Sequence, residues 1–191
     1  MKKRVLFIVL CGMFLVTLSG CSKTETKKED SNKTKENTKK EDDKKSTKVI
    51  EYISKLDNNS TLEDVNKLIG FDGVVDSDNN KKYVWDVTET SSLTATFSNK
   101  GYTSIEIDIE DELLKNDKVD FSKYEEISSA LKNGDTVTYD DFKEKVGGVD
   151  GTPVTKSYIS TSYKWVNKKG GYLKASFNNK TKKCTFVSGR I

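Results

Sequence analysis

The sequence predicts an α+β chain, two tandem helix–helix–antiparallel-sheet units preceded by a signal peptide and a disordered tether. Three observations carry this. "YVWDVTETSSLTATF", residues 83–97, and "YKWVNKKGGYLKASF", residues 163–177, have equal length, with Tyr, Trp, Leu, Ala and Phe at matching places. Upstream of each, apolar residues recur at helical spacing, and from each onward the period switches to two. Residues 22–48 hold no apolar side chain larger than the Thr methyl. The divisions that follow are 1–20, 21–48, 49–119 and 120–191.

The first division reads MKKR, then VLFIVLCGMFLVTL, then small residues before Cys21. A basic start, an apolar run and a small-residue site make a secretory signal. The run is shorter than the ~20 residues a spanning helix needs. "LSGC" (Leu18, Ser19, Gly20, Cys21) resembles the bacterial lipobox. The resemblance implies that Cys21 receives a diacylglyceryl group on its thiol and becomes the new N-terminus. The expected product is an acylated (palmitate-type) lipoprotein held on the outer face of the cell membrane, or on the outer membrane if the host has one. Two acyl chains, at about 0.8 kcal/mol per buried CH₂, suffice for lasting attachment. With Cys11 removed and Cys21 acylated, Cys184 is left alone, so no intramolecular disulfide is expected. Its place two residues before Phe186 in an alternating stretch makes it a small inward hydrophobe.

Residues 22–48 carry ten Lys and seven acids. Such a composition cannot bury enough surface to offset the entropy of ordering, so a disordered stalk is expected.

The helices come next. Ile50, Ile53 and Leu56 fall on one helical face. Thr61 and Asp64 form a capping pair ahead of Leu62, Val65, Leu68 and Ile69, and Gly70 is the stop. In the second unit Phe121, Tyr124, Ile127 and Leu131 make the first stripe, with Ser122 and Glu125 expected as a capping box. Thr138 and Asp141 cap a second helix with Tyr139, Phe142 and Val146 apolar and Gly147 as the stop.

The strands alternate. Tyr83, Trp85 and Val87, then Leu93, Ala95 and Phe97, then Ile105 and Ile107 face one way in the first unit. Tyr163 and Trp165, then Leu173, Ala175 and Phe177, then Cys184 and Phe186 do so in the second. One-sided alternation marks antiparallel strands with one wet face. That face is expected to show Val84, Asp86, Thr94, Thr96, Lys164, Val166, Lys174 and Ser176, a set poor in aromatic anchors.

T-x-x-D-[VF]-x-x-x-[VI]-G-x-x-G, followed by Y-x-W and L-x-A-x-F, is present twice. It resembles the tandem repeat of β-lactamase-inhibitory-protein-like (BLIP-like) domains, and is similar to units of small outer-membrane-assembly lipoproteins. The resemblance covers residues 47–191. It implies two α+β units side by side whose sheets form a broad, often concave face that holds other proteins. No inhibitor contact residue can be matched here, so β-lactamase inhibition does not carry over.

Charge divides the folded part. Residues 49–119 hold 7 basic and 15 acidic residues, net −8, and residues 120–191 hold 13 and 8, net +5. Either two solvated faces attract across a junction, or a bipolar surface steers a complementary partner. No basic stripe with interleaved aromatics suggests nucleic acid.

The chain has no His, which excludes Ser–His, Cys–His and His-ligated metal chemistry. "DSDNN" at 76–80 opens like a calcium loop. However, Lys81 stands where Gly is wanted and Val87 where a bidentate Glu is needed, so a plain loop is expected. Glu106, Asp108, Glu110, Asp111 and Glu112 form an acidic run at the junction. They either solubilise an edge strand and start a connecting helix, or make an interaction patch for a basic partner or a weakly held cation. No catalytic, cofactor or metal residue is assigned. The expected function is non-catalytic binding of a protein or envelope polymer. The alternatives are a structural accessory of an envelope assembly complex, an inhibitor of a secreted hydrolase, and a glycan-cleaving carboxylate pair.

Overall fold

A computed structural model describes residues 43–191. The expected signal peptide, the expected lipidation site Cys21 and the expected tether up to residue 42 lie outside the described residues. The remaining tether residues belong to the fold, contrary to their composition. Residues 43–46 are helical, and the hydroxyl of the buried Ser46 lies 2.8 Å from Thr88 Oγ1 and 3.2 Å from Thr90 Oγ1. A hydroxyl that finds two partners in a β-turn can be buried where composition alone suggests solvent.

Helix α1 (Lys48–Lys55) buries Val49 and Ile53. Helix α2 (Leu62–Ile69) begins at the predicted capping box. Asp64 N–H donates to Thr61 Oγ1 at 3.3 Å, and Thr61 N–H donates to Asp64 Oδ2 at 2.9 Å. Strands β1 (Val74–Val75), β2 (Lys82–Thr88), β3 (Ser91–Ser98) and β4 (Gly101–Ile109) follow as an antiparallel meander. A 3₁₀ turn (Asp111–Leu114) and the short β5 (Lys115–Asn116) then stand where a connecting helix was expected.

Helix α3 (Tyr124–Lys132) lacks the predicted Ser122–Glu125 box. Ser122 instead donates from Oγ and from its backbone N–H to the Asp120 carboxylate, and no side chain caps the helix. An acid two residues upstream outcompetes the helix end for that hydroxyl. Helix α4 (Tyr139–Lys145) carries the second capping box, Thr138 with Asp141. Strands β6 (Thr152–Ser157), β7 (Ser160–Asn167), β8 (Tyr172–Asn178) and β9 (Cys184–Arg190) complete the order.

The expectation of two sheets side by side is corrected: the strands make one sheet, in the order β1-β2-β3-β4-β6-β7-β8-β9. The join is the antiparallel pairing of β4 with β6 at Ser104↔Ser157, Ile105↔Lys156 and Glu106↔Thr155. Strand β5 adds a short parallel pairing to β7, at Lys115↔Val166 and Asn116↔Asn167. Backbone groups at the rim of β4 and β6 would otherwise be unpaired edges, and zipping them satisfies both.

Register decides which way each side chain faces. The row Tyr83, Ala95, Ile105, Lys156, Thr161, Phe177 and Cys184 runs across the whole sheet on the helix-covered side. Beside it, Trp85 faces Leu93 and Ile107, and Trp165 faces Leu173. Val49, Ile53, Leu56 and Val65 pack on Trp85, Leu93 and Ile105 in one core cluster. Phe121, Ile127, Phe142 and Val146 pack on Trp165, Leu173 and Phe177 in another. Val154 and Val166, from the second half of the sheet, belong to the first cluster, so the two cores interlock.

The two indole N–H groups are satisfied differently. Trp85 Nε1 donates to Asn66 Oδ1 at 3.0 Å, and the same oxygen accepts from Gly73 N–H at 3.1 Å. Trp165 Nε1 donates to the Val149 carbonyl at 2.9 Å. Gly73 and Gly151 lie against these rings, where a Cβ would stand 2.5 Å and 2.6 Å from the indole carbons.

The capping carboxylates give a pH prediction. Accepting from the Thr backbone and hydroxyl holds Asp64 and Asp141 below the usual carboxylate range. A carboxyl depressed in the folded state adds stability above its unfolded pKa and loses it as pH falls through the folded value. Replacing both with Asn removes that contribution. Acid titration followed by far-ultraviolet circular dichroism is then expected to show a shallower stability loss below pH ~4 than in the parent.

Candidate functional site

Among the described residues, the four helices α1–α4 pack against one side of the sheet, which leaves the other side as the candidate site. Registers place Val84, Asp86, Ser92, Thr94, Thr96, Glu106 and Asp108 on its first half. Ser162, Lys164, Val166, Tyr172, Lys174, Ser176, Phe186, Ser188 and Arg190 occupy its second half. Asp86, Glu106, Asp108, Phe186 and Arg190 are exposed.

One predicted member of this face is not on offer. Val166 is 0% exposed, because β5 pairs beside it and it joins the core cluster that contains Leu114. The segment after β4 therefore folds across one end of the face. Tyr172, absent from the expected set, stands there beside Val166. Phe186, expected to point inward with Cys184, lies instead on the open face opposite Ser176, because the register shifts between Ser176 and Phe177. Alternation places Tyr172 on this side once the register is known, whereas a bulge of one residue in the β8–β9 pairing reverses the side that alternation gave Phe186.

The acidic run is split by this geometry. Glu106 and Asp108 point out from β4, while Glu110, Asp111 and Glu112 lie on the crossing segment. Glu106 pairs with Lys174 at 3.9 Å, across the two intervening strands. Asp111 pairs with Lys164, which also lies 4.8 Å from the centroid of the Tyr172 ring. Glu112 pairs with Lys115 at 2.6 Å. Three of the five acids are thus engaged by Lys, and the run is not a uniform anionic patch. Exposed pairs of this kind contribute at most about 1 kcal/mol each, so their effect is to position the crossing segment and to set the pattern of charge.

Between the charges the floor is small and hydroxylated. Thr155, Ser162 and Ser176 lie in the same cross-strand row as Glu106, and Ser162 Oγ is 2.7 Å from Ser176 Oγ. Thr155 Oγ1 is buried without a hydrogen-bond partner.

The remaining sequence candidates fall elsewhere. Asp76, in the loop that opens like a calcium site, is bonded to Lys82 at 3.0 Å and accepts from Asp78 N–H. Among the described residues, no group of three or more His, Cys, Asp or Glu could hold a metal ion. Cys184 is half-buried and packs against the second core, where burial pushes its thiol pKa up. Among the described residues, no helix is long and apolar enough to cross a membrane.

Comparison with protein-family models, with curated proteins and with solved structures finds no match for this chain.

Proposed function

We propose that this chain is a bacterial lipoprotein, anchored through Cys21 outside the cell membrane, whose open sheet face binds a macromolecule without catalysis. The observation that carries the reading is the one-sided packing among the described residues: helices α1–α4 on one face and a short crossing segment on the other. A sheet face without a covering layer is a surface available to a partner. Its charges are arranged by half, with Asp86, Glu106 and Asp108 on one side and Lys164, Lys174 and Arg190 on the other. Complementary charge sets orientation and on-rate more than affinity, so the partner is expected to bear the opposite order.

The finer architecture belongs to the same proposal. Capping boxes at Thr61 and Thr138, and Trp facing Leu at Trp85–Leu93 and Trp165–Leu173, recur in the same order. They support two BLIP-like repeats fused through β4 and β6. Holding rather than chemistry is supported by the carboxylates, since Asp64, Asp141, Glu106, Asp111 and Glu112 all have structural partners.

Two measurements test it. Metabolic labelling with a fatty-acid probe is expected to mark the parent and leave a Cys21→Ser variant dark; equal labelling contradicts the anchor. Affinity capture from crosslinked envelope extract with the full chain is expected to retain a protein or wall polymer. The triple variant Asp86→Lys, Asp108→Lys, Arg190→Glu is expected to lose it. An unchanged captured set counts against the face.

A further inference from the structure

We infer that the open sheet face binds a second copy of this chain, turned about a two-fold axis that runs along the strands at the β4–β6 join. This rests on the reading of that face as a binding surface and names its partner.

The strand pairings lay one row of side chains across the full width of the face, from Val74 and Val84 through Glu106 and Thr155 to Ser176 and Phe186. The join lies at its middle, with β1 to β4 on one side and β6 to β9 on the other. Both ends of the row are apolar. Val74 is 71% exposed and Phe186 56% exposed, each on an edge strand. Edge strands are ordinarily blunted by charge or proline, so large apolar side chains at both edges of one face mark a contact surface.

The next row, two residues further along each strand, carries the charge. Asp86 and Asp108 stand in the first half, Lys164 and Lys174 in the second. Lys164 is already held by Asp111, whereas Lys174 meets Glu106 of its own chain only at 3.9 Å. Asp86 and Asp108 are exposed, and neither has an ion pair among the described residues. The contact uses these two rows, because the crossing segment covers Val166 one step beyond them.

Two rotations lay the face on its own copy, since a twisted sheet turned over keeps the hand of its twist. An axis along the rows sets the acidic half on the acidic half, and like charges repel across an interface. An axis along the strands reverses the strand order and keeps each row at its own height. Strand β2 then lies over β8 of the second copy, and β1 over β9. Asp86 meets Lys174 of the second copy, while Val74 and Val84 meet Phe186. Each contact occurs twice, as in any isologous dimer. Charge selects the axis along the strands, and the same axis covers both apolar ends. Sheets stacked in this way are aligned, about 10 Å apart, as in a sandwich. A partner for this face must present its charges in the opposite order and an apolar residue at each end. A second copy supplies both.

The test uses the full chain, co-expressed with two different epitope tags and with a benzophenone side chain in place of Phe186. Illumination is expected to give an adduct of twice the monomer mass that carries both tags. Asp86→Lys in both copies sets Lys against Lys174, and Lys174→Glu in both sets Glu against Asp86. Each is expected to lower the yield of that adduct about tenfold, the sum of two reversed exposed pairs. Co-expressing one tagged copy with Asp86→Lys and the other with Lys174→Glu restores opposite charges at both contacts, and the yield is expected to return. Adducts to a different macromolecule without the two-tag product overturn the second-copy proposal and leave the open face as a binding surface. No adduct of any mass overturns both. A two-tag adduct that neither reversal weakens, or that co-expression does not restore, overturns the two-fold arrangement.

Discussion

Trp165→Ala is expected to lower the stability of the fold by about 3–5 kcal/mol, the range for deleting a buried large aromatic. The indole is 2% exposed, with ring centroids 4.8 Å from Phe142, 6.1 Å from Tyr139 and 6.2 Å from Tyr163. Removal leaves a cavity under α4 and strips the Val149 carbonyl of its partner. Trp85→Ala is expected to cost a similar amount at the other end of the sheet. Because Val154 and Val166 join the first core and β4 pairs with β6, both variants are expected to lower one shared transition. Differential scanning calorimetry reads this directly. Two separate transitions, only one of them moved by each substitution, would show instead that the halves unfold independently.

Gly147→Ala is expected to be strongly destabilising where Gly70→Ala is mild. Both glycines sit just past a capped helix, with φ +97° at Gly70 and +100° at Gly147. A left-handed conformation costs a non-glycine residue about 1–2 kcal/mol. Around Gly70 nothing lies within 4 Å of the place a Cβ would take, so that strain is the whole cost. At Gly147 the Cβ would stand 2.1 Å from the Lys118 carbonyl oxygen, a backbone atom that cannot rotate away. The chain entering α3 must then move, which adds about 1–3 kcal/mol of overpacking. Asp120 N–H donates to the Val146 carbonyl at 3.1 Å across the same contact, and that bond is expected to lengthen or break. Urea midpoints of the two variants give the comparison. Equal midpoints would mean that the close approach is not maintained in solution.

The parts of the fold set by local rules were legible in the sequence. Thr61 with Asp64 and Thr138 with Asp141 could be placed because a capping box needs only three residues of spacing. The rows through Trp85 and Trp165 could be placed because strand period is two. What depends on distant partners was not legible. Ser46 looked like tether because nothing in its neighbourhood announces Thr88 and Thr90. The sheet was expected in two pieces because the β4–β6 join involves Ser104, Ile105 and Glu106 against Thr155, Lys156 and Ser157, residues with no apolar pattern of their own across the seam.

The same distinction holds for the candidate sites. Val166 was placed on the wet side correctly by alternation, yet it is buried because a segment some fifty residues upstream, around Leu114 and Lys115, crosses over it. Asn66 gave no signal at all, since a polar residue inside a helix usually faces water. Here its oxygen serves both Trp85 and Gly73. Val74 and Phe186 lie in different halves of the chain, and only the joined sheet brings them into one row.

The most direct test of the open face is site-specific photocrosslinking in living cells, with a benzophenone side chain in place of Thr94 or Ser176 on that face, or of Glu63 or Glu125 on the helix side. Adducts of higher mass from Thr94 and Ser176, and none from Glu63 or Glu125, are the predicted result. Adducts from the helix-side positions alone would contradict it.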